Sequence, residues 1–171
     1  MIAPLDIRHA LTGDALLIQA IASAAYHLFI EEIGHPPAPT LANFDSHIAE
    51  DICFMFWIQG RACDYAIIIE KPDGFWLENI AVHPDQQGNG FGNFLLQAVE
   101  GFLSRHTDRY QLYTNIVMHE NVHWYKRRGF TQTKEAVEDG FHRLSFQKML
   151  SRLSPPPKQQ IYGQLKFEGL L

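Results

Sequence analysis

The stretch Leu77–Asn93, Leu-Glu-Asn-Ile-Ala-Val-His-Pro-Asp-Gln-Gln-Gly-Asn-Gly-Phe-Gly-Asn, constrains this chain more than any other part of it. A strand-like run passes through His83-Pro84 into a glycine-rich turn, and an amphipathic helical pattern follows at once. Gly88, Gly90 and Gly92 alternate, so the backbone here can approach a ligand with no Cβ atoms in the way. The predicted helix begins at the same place, and its first N–H groups have no acceptor within the helix. Free donors and the positive end of a helix dipole together suit phosphate. The stretch therefore predicts a strand–loop–helix unit that holds a phosphorylated cofactor. A P-loop would need Gly-Lys-Ser/Thr, where this chain has Gly92-Asn93-Phe94 and no lysine to neutralise a triphosphate. A dinucleotide fingerprint would need a glycine three residues after Gly90, where Asn93 stands.

At 171 residues the chain fits one domain with a sizeable core. Its 46% hydrophobic and 19% charged residues argue against disorder, and its net charge of −5 gives no general attraction to nucleic acid or anionic membrane. The basic run Lys126-Arg127-Arg128 reads as a solvated helix face. No apolar run is expected to approach the roughly 20 residues of a membrane span, and the start lacks the basic and apolar regions of a secretory signal. A hairpin about Gln59-Gly60 would set Cys63 opposite Phe56 rather than Cys53, so no disulfide is expected. Two cysteines without spacing partners make no metal site. The expected location is the cytoplasm.

In chain order, Leu5 to Ala10 reads as a strand, and Thr12 as the cap of a helix burying Leu16, Leu17, Ala20, Ile21, Ala24 and Leu28. That helix should stop near Gly34, before His35-Pro-Pro-Ala-Pro39, and Thr40 should cap a shorter one carrying Leu41, Phe44 and Ile48. Strands follow at 52–58, 62–70 and 75–82, then the glycine motif and a helix with Phe91, Phe94, Leu95, Ala98, Val99, Phe102 and Leu103 on its buried stripe. A strand at 110–117, a helix at 119–128 and a hairpin turning at Glu138-Asp139-Gly140 complete the domain. Antiparallel hairpins followed by strand–helix–strand mean an α/β fold with a mixed sheet and helices on both faces. Residues 1–150 form this domain. Residues 151–171, after Ser154-Pro-Pro-Pro157, form an extension expected to pack on the domain or on a partner subunit.

Val82-His83-Pro84 followed by Gln87-Gly88-Asn89-Gly90-Phe91-Gly92 resembles the acetyl-CoA-binding motif of the GCN5-related N-acetyltransferases. A second stretch, Leu112 to Phe130, resembles the family's later signature, in which an Asn and a Tyr precede Gly-Phe. Tyr26, Glu31, Gly34 and Pro36-Pro37-Ala38-Pro39 look like a subfamily of small acetyltransferases of mostly undefined substrate. The resemblance spans residues 5–150. It implies a mostly antiparallel, splayed seven-stranded sheet with about four helices, and acetyl-CoA as co-substrate.

By the same resemblance Ile80, Ala81 and Val82 lie along the cofactor, Val82 pairing with its pantetheine arm through the backbone as an added strand would. Gln87, Gly88, Asn89, Gly90, Phe91 and Gly92 would hold the pyrophosphate. Gln87 stands where many members have Arg, so a charge is lost while a donor is kept. Asn121 and Tyr125 would also contact the cofactor, with Asn115 competing for the Asn121 role. Tyr125, four residues before Gly129-Phe130, would protonate the departing thiolate, a sensible task for a phenol where solvent cannot supply the proton. Met118, Val122, Tyr125 and Gly129 also form a helical stripe, so a core role competes.

Glu78 is the base candidate, on the parity of Trp76, Ile80 and Val82 unless the strand bulges there. His119, His123 and Glu31 are the alternatives. Neither cysteine lies in a nucleophile motif, and no metal is implied. The acidic chain and the aromatics Phe54, Phe56, Trp57 and Trp76 suit a small cationic or aromatic amine as well as a core or a dimer face. The expected function is transfer of an acetyl group to a primary amine of a small molecule or peptide by direct attack. A non-catalytic acyl-CoA-binding or regulatory protein is the alternative, and a homodimer is left open.

Overall fold

The computed structural model describes residues 5–151 together with Lys166 and Phe167. Eight strands run Leu5–His9 (β1), Ile52–Ile58 (β2), Arg61–Lys71 (β3), Gly74–Val82 (β4), Arg109–Asn115 (β5), Thr131–Glu138 (β6), Phe141–Met149 (β7) and Lys166–Phe167 (β8). The helices are Ala15–Tyr26 (α1), Ile30–Ile33 (α2), Phe44–Glu50 (α3), Phe91–Leu103 (α4) and His119–Arg127 (α5). A 3-10 turn at His27–Phe29 joins α1 to α2, so these two make one bent helical run. With α3, α4 and α5 that gives the four expected helices.

The sheet order is β6-β7-β5-β4-β3-β2-β1-β8. Strands β1 to β7 form the expected mixed, mostly antiparallel sheet, in which β4–β5 is the parallel contact. The two residues of β8 add a parallel edge beside β1. Apart from these two residues and Ser151, the expectation about the 151–171 extension lies outside the described residues. One apolar cluster joins the sheet to α4 and α5 and includes Phe54, Phe56, Leu95, Val99, Leu112, Tyr125 and Phe146. The other joins it to α1 and α3 and includes Ile18, Ile21, Phe44, Met55, Tyr65 and Ile67.

The join between β4 and β5 positions the site. They pair only at Trp76↔Gln111 and Leu77↔Leu112. Beyond Leu77 their backbones part, and the sheet opens like a V whose inner edges keep unpaired peptide groups.

Several local expectations are corrected. The buried face of α1 is Ile18, Ile21, Ala22 and Tyr26, while Leu16, Leu17 and Leu28 are exposed. Ala-Leu-Leu-Ile-Gln-Ala-Ile-Ala is apolar nearly all round, so spacing alone does not select the buried stripe. Neither Thr12 nor Thr40 caps a helix. Asp14, gripped by Arg8 at 2.6 and 3.1 Å, accepts the Leu11 N–H at 2.7 Å, and Asn43 caps α3 by accepting the Ser46 N–H. Leu41 and Phe94 are exposed. Cys63 is not opposite Phe56, because β2 and β3 slip there and pair Phe56 with Asp64 and Trp57 with Ala62. Both cysteines are free and buried. The helical run Thr12–Ile33 is 22 residues long with a window of mean hydropathy 1.3, enough by length and composition alone to cross a membrane. That overturns the expectation that no apolar run approaches such a length.

Candidate active site

The loop between β4 and α4 sits at the open end of the V. His83 accepts the Asp85 N–H on its Nδ1 and starts a 3-10 turn, Pro84–Gln86. Gly88 and Gly90 then adopt φ of +78° and +83°, left-handed values that a β-carbon disfavours. Gly90 is the residue from which α4 starts. Among the described residues the N–H groups of Gly88, Asn89, Gly90, Phe91 and Gly92 donate to no protein acceptor, which leaves them free for an anion. Gly92 serves differently, since a β-carbon there would meet Trp124 at 3.5 Å and Val82 at 3.7 Å. These are ordinary van der Waals contacts, so the packing of α4 on α5 and β4 has room for a small side chain here.

From this loop a groove of about 880 Å³ runs along the end of β4, between the end of α1 and α5. That is within the usual range of about 300–1,000 Å³ for small-molecule sites. Ile80, Ala81, Val82, Gln87, Gly88, Gly90, Phe91, Gly92, Asn121 and Tyr125, all expected at the cofactor, line it. Asn89 lies in the same loop, its side chain donating to the Gln86 carbonyl. Gln87 does not aim its amide into the groove, but donates it to the Val82 carbonyl at 3.0 Å. Positive charge comes instead from Arg127 and Arg128 of α5 and its C-cap, with Arg128 lying 3.9 Å over the Trp124 ring and donating to Asn93. Free amides, two guanidinium groups and an open strand edge fit a phosphorylated, amide-bearing cofactor such as coenzyme A.

On the other side of the V lies a smaller pocket of about 50 Å³. Glu78, Asn79, Tyr113, Asn115, Phe141 and Arg143 line it, roofed by the segment Pro37–Pro39. Glu78 reaches it because β4 bulges: Ile67 pairs with Asn79 and Ile68 with Leu77, so Glu78 is the extra residue. The parity expected from Trp76 through Ile80 is thereby broken. Instead of apolar neighbours, Glu78 accepts the Tyr113 hydroxyl at 2.5 Å and the Lys71 ammonium at 3.4 Å. Burial and the Glu78 carboxylate raise the Tyr113 phenol well above its ordinary value, so it stays a donor. Tyr26, the buried end of α1, donates to Asn79 at 3.2 Å and to the Ile80 carbonyl at 3.0 Å, tying that helix to the bulge.

Tyr125 lines both the groove and the pocket. Its ring packs edge-on against Trp124 and Phe130, so the expected core stripe is real as well. Burial pushes its phenol upward, which keeps the proton in place at neutral pH. Asn121 also lines both spaces; Asn115 lines only the pocket, its Oδ1 taken by the Val117 N–H. Of the four base candidates Glu78 alone lines the pocket, His119 and His123 lie along the groove, and Glu31 lines neither. Tyr113 and Arg143 were not anticipated. Their signal was the β5–β7 register, which places both on the face opposite Leu112, Leu144 and Phe146. Among the described residues no three His, Cys, Asp or Glu side chains group as metal ligands.

Residues 49–132 match the family model of the acetyltransferase (GNAT) domain. The fold is shared with the ribosomal-protein-S18-alanine N-acetyltransferase from Escherichia coli, 21% identical over 90% of this chain and 98% of that one, with a TM-score of 0.69. PaiA N-acetyltransferase from Thermoplasma acidophilum, in complex with coenzyme A, is 13% identical over 85% and 98% of the two chains, with a TM-score of 0.69. A GNAT family acetyltransferase from Elizabethkingia anophelis with acetyl-CoA bound is 14% identical over 86% and 99%, with a TM-score of 0.62. Among curated protein sequences none matches this chain. Over residues 49–132 the chain matches the GNAT acetyltransferase domain, and its fold is the acyl-CoA N-acyltransferase fold of these structures.

Proposed function

We propose that this protein transfers an acetyl group from acetyl-CoA to the primary amine of a small molecule or peptide by direct attack. The observation that carries the reading is the placement of Tyr125. Its phenol, a proton donor, lines both a groove suited to coenzyme A and a pocket that holds a carboxylate. Bound acetyl-CoA would supply an activated acetyl thioester. Gly88 to Gly92 would hold its pyrophosphate through their free N–H groups, with Arg127 and Arg128 adding charge. The open edge of β4 about Ile80–Val82 would align the pantetheine arm and offer a backbone N–H to the thioester carbonyl.

In the pocket Glu78, directly or through a water, takes the proton that the amine loses as its nitrogen bonds to the acetyl carbon. Tyr113 holds the carboxylate in place for that step. As the carbon–sulfur bond breaks, Tyr125 gives its phenolic proton to the thiolate. Electrons move from the amine nitrogen to sulfur, and a proton is passed in at one end and out at the other.

Calorimetric titration with acetyl-CoA, CoA and ATP, on the wild type and on Gly90→Trp, tests the cofactor half. The expected result is binding of the two CoA species alone, lost in the variant. An amine screen read by free thiol, with Tyr125→Phe as control, tests the chemistry. Binding of acetyl-CoA without thiol release from any amine would favour the non-catalytic acyl-CoA-binding alternative.

A further inference from the structure

The guanidinium of Arg143 has no full counter-charge. It stands on β7, paired in register with Asn115, and its side chain is only 15% exposed. Two aromatic rings hold it, Tyr113 at 4.4 Å and Phe141 at 5.3 Å. Its Nε is buried and has no acceptor among the described residues. Its nearest carboxylate is Glu138 at 3.8 Å, and Lys134 holds that residue closer, at 2.5 Å. A largely buried, incompletely neutralised charge is costly, and its survival in a pocket wall calls for an anion that arrives from outside.

We infer that the acceptor is a small amine bearing an anionic group, carboxylate or phosphate, close to its nitrogen, and that Arg143 selects it. The inference rests on the acetyltransferase reading of the same site. Tyr113 sets the spacing. Its hydroxyl meets Glu78 and its ring face carries Arg143, so proton acceptor and guanidinium stand one phenol apart. An amine directed to Glu78 places an anion a few bonds away against Arg143, whose planar fork matches carboxylate or phosphate with two hydrogen bonds. The other cation at the site, Lys71, is occupied by Glu78 and by the face of Trp76. A pocket of about 50 Å³ admits little more than these two ends. A purely cationic amine would meet Arg143 as a like charge, which disfavours it.

The test uses the CoA-loaded protein and calorimetric binding of matched pairs: alanine against alaninamide, glycine against glycinamide, and phosphoethanolamine against ethanolamine. The expected result is that a carboxylate or the phosphate member binds roughly tenfold or more tightly than its neutral partner. Which pair responds tells carboxylate from phosphate. Arg143→Gln should bring the pair to parity with CoA affinity unchanged, and Arg143→Lys should recover only part of the preference. Neutral partners binding as tightly as the charged ones, or no anionic amine binding to a protein that still holds CoA, would overturn the inference. Failure of the wild type to bind CoA at all would bring down the underlying acetyltransferase reading instead.

Discussion

The groove and the pocket face each other across one opening in the sheet, yet they are built from different materials. The groove centres on one continuous segment, β4, the glycine loop and the start of α4, flanked by side chains of α1 and α5, and what that segment offers is mostly backbone. The pocket is made by side chains from three strands, Glu78 of β4, Tyr113 of β5 and Arg143 of β7, which are neighbours only through the sheet register. A backbone site depends on conformation, and any sequence that preserves the turn preserves it. A side-chain site depends on which residue stands at each register position, and it can change while the fold stays. On the proposed function, cofactor binding belongs to the first and the choice of acceptor to the second.

Tyr125 touches both, so its variant should have the largest effect. Tyr125→Phe removes the proposed proton donor and little volume, and kcat should fall about 10³-fold. Calorimetric affinity for CoA should stay within about twofold, because the ring and its edge-on contacts remain. A loss of CoA affinity as large as the loss of kcat would make Tyr125 a structural residue.

Next come two glycines that separate conformation from contact. Gly90→Val places a β-branched residue at φ +83° and crowds the free amides, and CoA affinity should drop about 10²-fold. Gly92→Ala has an ordinary backbone and would meet Trp124 at 3.5 Å, an ordinary contact, so affinity should change by no more than about threefold. Equal losses in the two variants would mean that the loop excludes β-carbons everywhere rather than needing one left-handed turn.

On the pocket side, Tyr113→Phe should lower kcat about tenfold, by freeing the Glu78 carboxylate, and leave the KM for acetyl-CoA unchanged. An equal rise in that KM would mean that the two regions are not separable.

The same contrast explains what could be read in advance. The loop and the strand before it are local, so Ile80–Val82, Gln87, Gly88 and Gly90–Gly92 do line the groove, while Asn89 does not. Strand 52–58 and the turn at Asp139-Gly140 were legible for the same reason: a run rich in β-branched and aromatic residues and a two-residue turn are local signals. Glu78 was named, but its surroundings were not, because one bulge swaps the faces of everything beyond it. Tyr113 and Arg143 went unread because β5 and β7 pair across an intervening helix and strand, and spacing along the chain does not encode that register. The stripe on α1 was misread since apolar residues ring most of the helix, and only the sheet beneath decides which of them is covered.

The smallest expected effect concerns stability, and it asks what holds the groove's entrance. Asp64 of β3 pairs with Val82 at the point where β4 enters the loop, and its carboxylate, 1% exposed, accepts the His83 N–H at 3.3 Å. Burial lifts its pKa from 3.8 to about 7, with the His83 N–H pulling weakly the other way. The folded state therefore favours the neutral acid. Stability should be fully present below about pH 4, fall as pH rises through about 7, and level off above, since only the unfolded chain ionises without penalty in that window. Asp64→Asn keeps an acceptor for His83 and removes the ionisation, at the cost of a buried NH₂ with no assured partner. At pH 8 the variant should be more stable by roughly 1–2 kcal/mol, a few degrees in Tm, and at pH 5 nearly equal to wild type. Urea unfolding at the two pH values measures this, with CoA affinity at pH 8 expected to stay within about threefold. If the wild type shows no such slope, the carboxylate has a counter-charge or water at that strand end. If the slope disappears in the variant but CoA affinity collapses too, the charge on Asp64 orders the loop, and the groove is less purely a backbone site than the free amides of Gly88 to Gly92 imply.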